Sequence, residues 1–211
     1  MKKQDNSQVV RAYSEVAEKY ADQFYKELDH KPLDRKLYDL YAEKVSGKGI
    51  HLELGCGPGE VSVYLSKHGL KMIGIDRSKE MIEIAKHLNK NIKFREGDAF
   101  NLDFGNDSID GIIAPYLIVN FTDNEIEIAI SEMYRILKKG GNLLITFHTG
   151  KNENIEIADF LKKGNYLRFK LHNLNKITKL LSNKGFIINE TVVKTPYEGE
   201  KTNRAFIYAV K

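Results

Sequence analysis

The chain has 211 residues, with 33 Lys or Arg against 29 Asp or Glu and a formal net charge of +4. At 42 % hydrophobic and 29 % charged it can build one sizeable core, which excludes whole-chain disorder. The longest nearly unbroken apolar stretch, residues 112–119, holds a proline and is far short of the ~20 residues of a membrane span; the charges are interleaved rather than blocked, which argues against a nucleic-acid footprint.

The first segment, about 9–45, reads as helical. Tyr13, Val16, Ala17, Tyr20 and Phe24 fall on one apolar face, and Pro32 opens a second helix with Leu33, Leu37, Leu40 and Tyr41 on one side. From Ile50 strands and helices alternate. Strands are predicted at 50–54, 71–76, 92–96, 109–114 and 142–147, and helices at 60–68 and 79–88. Thr122 and Glu125 make a capping box for a further helix, ended by Lys138, Lys139 and Gly140. Residues 151–169 read as irregular or weakly helical, 173–184 as a helix stopped by Gly185, and 186–190 and 205–210 as two strands. Such a chain is α/β, a mostly parallel sheet with an antiparallel edge, and its ligand belongs at the carboxyl ends of the strands.

The segment Glu53-Leu54-Gly55-Cys56-Gly57-Pro58-Gly59 joins the first strand to its helix. Glycines there permit positive φ and remove the Cβ atoms that would hold a ligand off the backbone. A dinucleotide fingerprint needs its third glycine one position later, where Glu60 stands and would repel a pyrophosphate. No Gly-Lys-Ser/Thr follows, so a phosphate-binding P-loop is excluded too. The loop suits a nucleoside without a phosphate in contact. Asp76 ends the second strand, 21 positions after Gly55, where a carboxylate can accept from both ribose hydroxyls, and Asp98 follows the third strand, placed to accept from an adenine amino group.

Together with Gly97-Asp98-Ala99 and Leu137-Lys-Lys-Gly-Gly141, these motifs resemble the class I S-adenosylmethionine-dependent methyltransferases over residues 50–148. The resemblance implies a Rossmann-like seven-stranded sheet of order 3-2-1-4-5-7-6, its last strand antiparallel, with helices on both faces. It implies one domain: a helical cap (1–46), a cofactor-binding core (47–149) and a substrate-side part (150–211). It places Glu53, Gly55, Cys56, Gly57 and Gly59 along the methionine moiety and Asp76 with Arg77 at the ribose. Met81, Asp98, Ala99 and the Ala114 carbonyl then fall around adenine, and Tyr13 and Tyr20 cover the cofactor. S-adenosylhomocysteine is the implied product. The acceptor is a small molecule in a pocket of Tyr13, Tyr20, Tyr116, Asn120, His148 and residues 151–169. Relatives carry a histidine about where Asn120 stands, which leaves His148 as the base candidate.

Ala114-Pro115-Tyr116 is similar to the Asn/Asp-Pro-Pro-Tyr site of amino-methylating nucleic-acid enzymes, but Ile113 stands in the polar position. Alternatives are an RNA or protein methyltransferase, a non-catalytic adenosylmethionine-binding module and, least favoured, a nicotinamide oxidoreductase. The histidines lack metal spacing, so no metal is expected. Lys2-Lys3 followed by Gln4-Asp5-Asn6-Ser7 lacks the apolar part of a signal peptide, and the single Cys56 forms no internal disulfide. These features predict a soluble cytoplasmic protein, monomeric or a homodimer, with no membrane partner and no nucleic acid.

Overall fold

A computed structural model describes residues 6–45, 47 and 49–211. The Lys2-Lys3 start and the cap boundary at residue 46 lie outside the described residues. The chain opens with α1 (Asn6–Ser14), α2 (Ala17–Phe24), a 3-10 turn (Glu27–His30) and α3 (Pro32–Val45). It continues through β1 (Ile50–Leu54), α4 (Glu60–Lys67), β2 (Lys71–Asp76), α5 (Lys79–Leu88), β3 (Lys93–Glu96) and β4 (Ile109–Pro115). After a 3-10 turn (Leu117–Asn120) come α6 (Asp123–Ile136), β5 (Leu137–Thr149), β6 (Glu153–Ala158) and β7 (Tyr166–Leu171). The last elements are α7 (Leu174–Lys184), β8 (Ile187–Lys194) and β9 (Asn203–Val210).

The main sheet has order β3-β2-β1-β4-β5-β9-β8, and β9 runs antiparallel to both neighbours. This is the order implied by the motifs, with the last two strands renumbered because a separate β6–β7 hairpin precedes them. Successive strand residues face opposite layers. Ile112 and Leu143 pack with α6 and α7, whereas Ile113 and Leu144 pack with α3 and α4. The predicted capping box of Thr122 and Glu125 forms, and Ser78 Oγ caps α5 by accepting from Met81 N at 3.2 Å.

Three expectations need correction. Residues 151–169 contain most of a β-hairpin, in which Ile155 and Ile157 on one strand stand opposite Phe169 and Leu167 on the other. Intervening Glu156, Arg168 and Lys170 give a strand period that is too short to stand out in the sequence. Helix α6 ends at Ile136, and Lys138-Lys139-Gly140 begin a strand. Its last carbonyls are met from elsewhere: Asp107 N donates to Arg135 O, Ser108 N to Ile136 O and Lys211 Nζ to Leu137 O. On α3 the buried stripe is Asp34, Tyr38, Tyr41, Ala42 and Val45, and the face with Leu33, Leu37 and Leu40 is only half-buried. A carboxylate takes a core position there because Lys194 Nζ lies 3.7 Å from Asp34 Oδ2 and the Tyr197 hydroxyl bonds the same side chain.

Candidate functional site

At the carboxyl ends of β1, β2 and β4 a cavity of about 220 Å³ opens beneath the N-terminal helices. Its floor is the β1–α4 loop. Gly55, Gly57 and Gly59 have φ of 71°, 49° and 89°, the left-handed region. Gly55 N and Cys56 N both donate to Ile75 O, at 2.8 and 3.0 Å, and Gly57 N donates to Asp76 Oδ2 at 2.8 Å. A Cβ on Gly57 would meet only Tyr20, at 3.9 Å, so the main chain there is bare toward the cavity. Gly59 differs. It does not line the cavity, and a Cβ on it would sit 2.6 Å from the Phe94 ring. The third glycine lets α4 close on β3 and touches no cavity space.

Glu53 is buried at the floor and accepts from Ser62 N at 2.7 Å and from the Ser62 hydroxyl. Burial pushes its pKa up to about 8 against those hydrogen bonds. The Glu60 carboxylate accepts from Leu28 N at 2.9 Å, tying the first 3-10 turn to α4, and burial raises its pKa to about 7. Asp76 accepts from Gly57 N and from Ser78 N at 2.8 Å, and burial pushes its carboxyl up. Met81, 2 % exposed, and Ala99 form an apolar slot beside it with Ile75. Arg77 also lines the cavity, while Asp98 does not: its Oδ1 accepts from Phe100 N at 2.9 Å and its Oδ2 lies 3.6 Å from Arg77 Nε. Ala114 sits inside the β4–β5 ladder, and the wall that follows is Pro115-Tyr116. Cys56 lines the cavity too, but burial pushes its thiol pKa up, which makes it a poor nucleophile.

The roof is aromatic. Tyr13 stands edge-on to Tyr20 with centroids 5.8 Å apart, and Phe160 at the hairpin tip stands edge-on to Tyr13 at 5.8 Å. Asn165 Nδ2 donates to Ala12 O at 2.9 Å and Lys162 pairs with Glu15 at 2.8 Å, so the hairpin pins the roof down without lining the cavity. Asn120 Nδ2 donates to the Tyr13 hydroxyl at 3.3 Å; its Oδ1 is buried without a hydrogen-bond partner. Tyr116 has φ of 52°, a strained conformation for a bulky residue, and its buried hydroxyl has no hydrogen-bond partner. Unpaired polar atoms at a cavity wall mark where a ligand's polar atoms belong.

His148 is elsewhere. It is sandwiched between Tyr116 and Phe169, centroids at 5.2 and 5.6 Å, and its Nδ1 is hydrogen-bonded to Thr202 Oγ1 at 2.8 Å. It does not line the cavity. Burial, then Arg204, lowers its pKa to about 3, so it holds Tyr116 in place and is a poor proton acceptor near neutrality. Several lining residues had no signal in the sequence reading, among them Glu27, Lys31, Asp34 and Tyr38. Asp34 and Tyr38 are four residues apart on one face of α3, and an aspartate on the stripe that carries Tyr41 and Val45 is the feature that identifies them. Among the described residues no group of three or more His, Cys, Asp or Glu is placed to hold a metal, and no helix is long and apolar enough to cross a membrane.

These pKa values fix a pH profile. Raised Glu53 and Glu60 bind protons more readily folded than unfolded, so their stabilisation is lost as pH rises to about 8 and about 7 respectively. His148 and His172, lowered by burial to about 3 and 4, act oppositely below the ordinary histidine value. Glu200 is pushed up by burial but brought down to about 2 by Tyr197 N–H, Lys194, Arg204 and Lys31, so its contribution is lost in strong acid. Melting temperature is therefore expected to be flat from about pH 4.5 to 6.5 and to fall on both sides. Glu53→Gln should flatten the alkaline fall between pH 6.5 and 8.5; an unchanged fall in differential scanning fluorimetry would contradict the assignment.

Comparison with known proteins gives the same location. The family described as a methyltransferase domain matches residues 52–141, from β1 through the glycine loop to the start of β5. An uncharacterised methyltransferase of Bacillus subtilis, YcgJ, is 31 % identical over 126 residues, which cover 57 % of this chain and 49 % of that protein. The chain thus spans about half the length of the curated relatives it matches. A methyltransferase from Methanosarcina mazei superimposes with a TM-score of 0.74 at 21 % identity, covering 82 % of this chain and 96 % of that one. The glycopeptide N-methyltransferase MtfA, solved with S-adenosylmethionine, superimposes with a TM-score of 0.66 at 13 % identity, covering 83 % and 86 %. The sheet order and these superpositions give the chain a Rossmann-like fold, with the glycine loop at its topological switch point.

Proposed function

We propose that the chain transfers a methyl group from S-adenosylmethionine to a small-molecule acceptor and releases S-adenosylhomocysteine, in a cytoplasmic setting. The observation that carries this reading is the bare main chain at Gly57 beside Asp76 and the Met81 slot, within residues that match a methyltransferase domain. MtfA, of the same fold, is known with S-adenosylmethionine bound. The residues present fit the cofactor. Asp76 retains lone pairs for ribose hydroxyls after serving Gly57 and Ser78, and Met81 and Ala99 offer adenine an apolar slot. Glu53, Cys56 and Gly55 would follow the methionine moiety, Arg77 the rim beside the ribose, and Tyr13 and Tyr20 the upper face. Gly59, Asp98 and Ala114 act behind this surface as supports.

When bound, the sulfonium supplies an already activated methyl group. The chain then has to align and exclude water, and orientation of this kind can supply on the order of 7–11 kcal/mol. Tyr13, Tyr20 and Phe24 close the roof, and the β6–β7 hairpin holds them. Tyr116 and Asn120 line the same cavity, and Asn120 Oδ1 is buried there without a hydrogen-bond partner. Calorimetric titration of the full chain tests the reading: saturable binding of S-adenosylhomocysteine is expected, with none of NADH. Binding of NADH, or of neither compound, would overturn it.

A further inference from the structure

The cavity continues past the cofactor floor to an end formed by Asp34, Tyr38, Tyr116 and Lys31. Asp34 is 2 % exposed, and its Oδ2 has no hydrogen-bond partner. The Lys194 ammonium, 3.7 Å away, is committed to Glu200 at 3.1 Å. Lys31, the one cation that lines this end among the described residues, is held by Glu27 and by Glu200 at 3.2 Å. Arg204 pairs with Glu200 at 3.1 Å behind Tyr116; its Nε is unpaired but does not line the cavity. Among the described residues every cation near this end is therefore engaged by a carboxylate, while Asp34, met by the Tyr197 hydroxyl and the distant Lys194 ammonium, keeps a buried Oδ2 that accepts no hydrogen bond.

A buried carboxylate oxygen without a donor is costly, and a ligand that donates to it recovers that cost. An anionic ligand would face Asp34, with no unengaged cation to receive it among the described residues. Tyr38 and Tyr116 line the cavity near Asp34, and Phe24 and Leu28 add apolar lining to it. A carboxylate recognises an ammonium group better than a hydroxyl, because the hydrogen bond between them is charge-assisted on both sides. We infer that Asp34 anchors the amino group of the methyl acceptor, and that the acceptor class is a small amine on an apolar body. This rests on the methyl-transfer reading above. In the reaction the ammonium gives one proton to solvent and its freed lone pair forms the N–C bond. The S–C bond breaks with its electron pair left on sulfur, and the methylated nitrogen emerges as an ammonium.

The test uses the full chain, with and without S-adenosylhomocysteine, titrated with phenethylamine, 2-phenylethanol and phenylacetate. The amine is expected to bind at least about tenfold tighter than the alcohol or the acid, as a buried charge-assisted hydrogen bond requires. Asp34→Asn should abolish that preference and Asp34→Glu should retain part of it, with melting curves showing that both variants fold. Equal binding of the three probes, preference for the acid, no detectable amine binding, or a preference that survives Asp34→Asn would each overturn the inference. Failure of S-adenosylhomocysteine to bind would instead count against the methyl-transfer reading, and the probe titrations without it still decide the role of Asp34.

Discussion

Gly59→Ala is expected to lower folding stability by about 2–5 kcal/mol, from a left-handed conformation that disfavours a Cβ and from overpacking. Gly59 has φ of 89° at the N-cap of α4, and a Cβ there would lie 2.6 Å from Phe94 Cζ. Phe94 is itself 5 % exposed, packed with Cys56, Ile82 and Ala85, so it has little room to retreat. In a chain of this size each kcal/mol lowers the melting temperature by about 2–4 °C. Phe94→Leu, which removes the struck ring edge, should recover part of the loss in the double variant. A single variant that melts like the parent would mean that α4 can shift outward, and the packing account of Gly59 would be wrong.

The second large effect is on binding. Asp76→Ala is expected to weaken S-adenosylhomocysteine affinity by about 1–3 kcal/mol, or roughly 5–150-fold, because buried donors lose their acceptor. Two of those donors belong to the protein: Gly57 N on the bare floor and Ser78 N at the cap of α5. The loss thus combines missing ribose contacts with a loosened floor. Asp76→Asn, which keeps one carbonyl acceptor, should lose less. Calorimetry separates the outcomes, and an unchanged affinity in the alanine variant would remove Asp76 from the site.

The cofactor half of the site was legible in the sequence because its determinants are local. The glycine loop, Asp76, Met81 and Ala99 lie at successive strand ends, and regular β–α alternation brings strand ends together. The acceptor half was not legible, because its determinants are distant in the chain. Asp34 occupies a core stripe only because Lys194 and Tyr197, more than 150 residues on, meet its carboxylate. His148 reads as a base from its place at the end of β5, yet Tyr116, Phe169 and Thr202 enclose it from three different segments. Gly59 reads as part of the ligand floor from its spacing, and only the approach of β3 shows that its missing Cβ serves Phe94. In the hairpin, the alternation of Ile155 and Ile157 with charged neighbours was masked by its length.

The most direct measurement is a crystal structure of the chain grown with S-adenosylhomocysteine. The account predicts the ribose on Asp76, the adenine against Met81 and Ala99, and the thioether sulfur over Gly55 and Gly57, turned toward Tyr116 and Asn120. A nucleoside bound away from the β1–α4 loop, or a cavity that stays empty in saturated crystals, would contradict it.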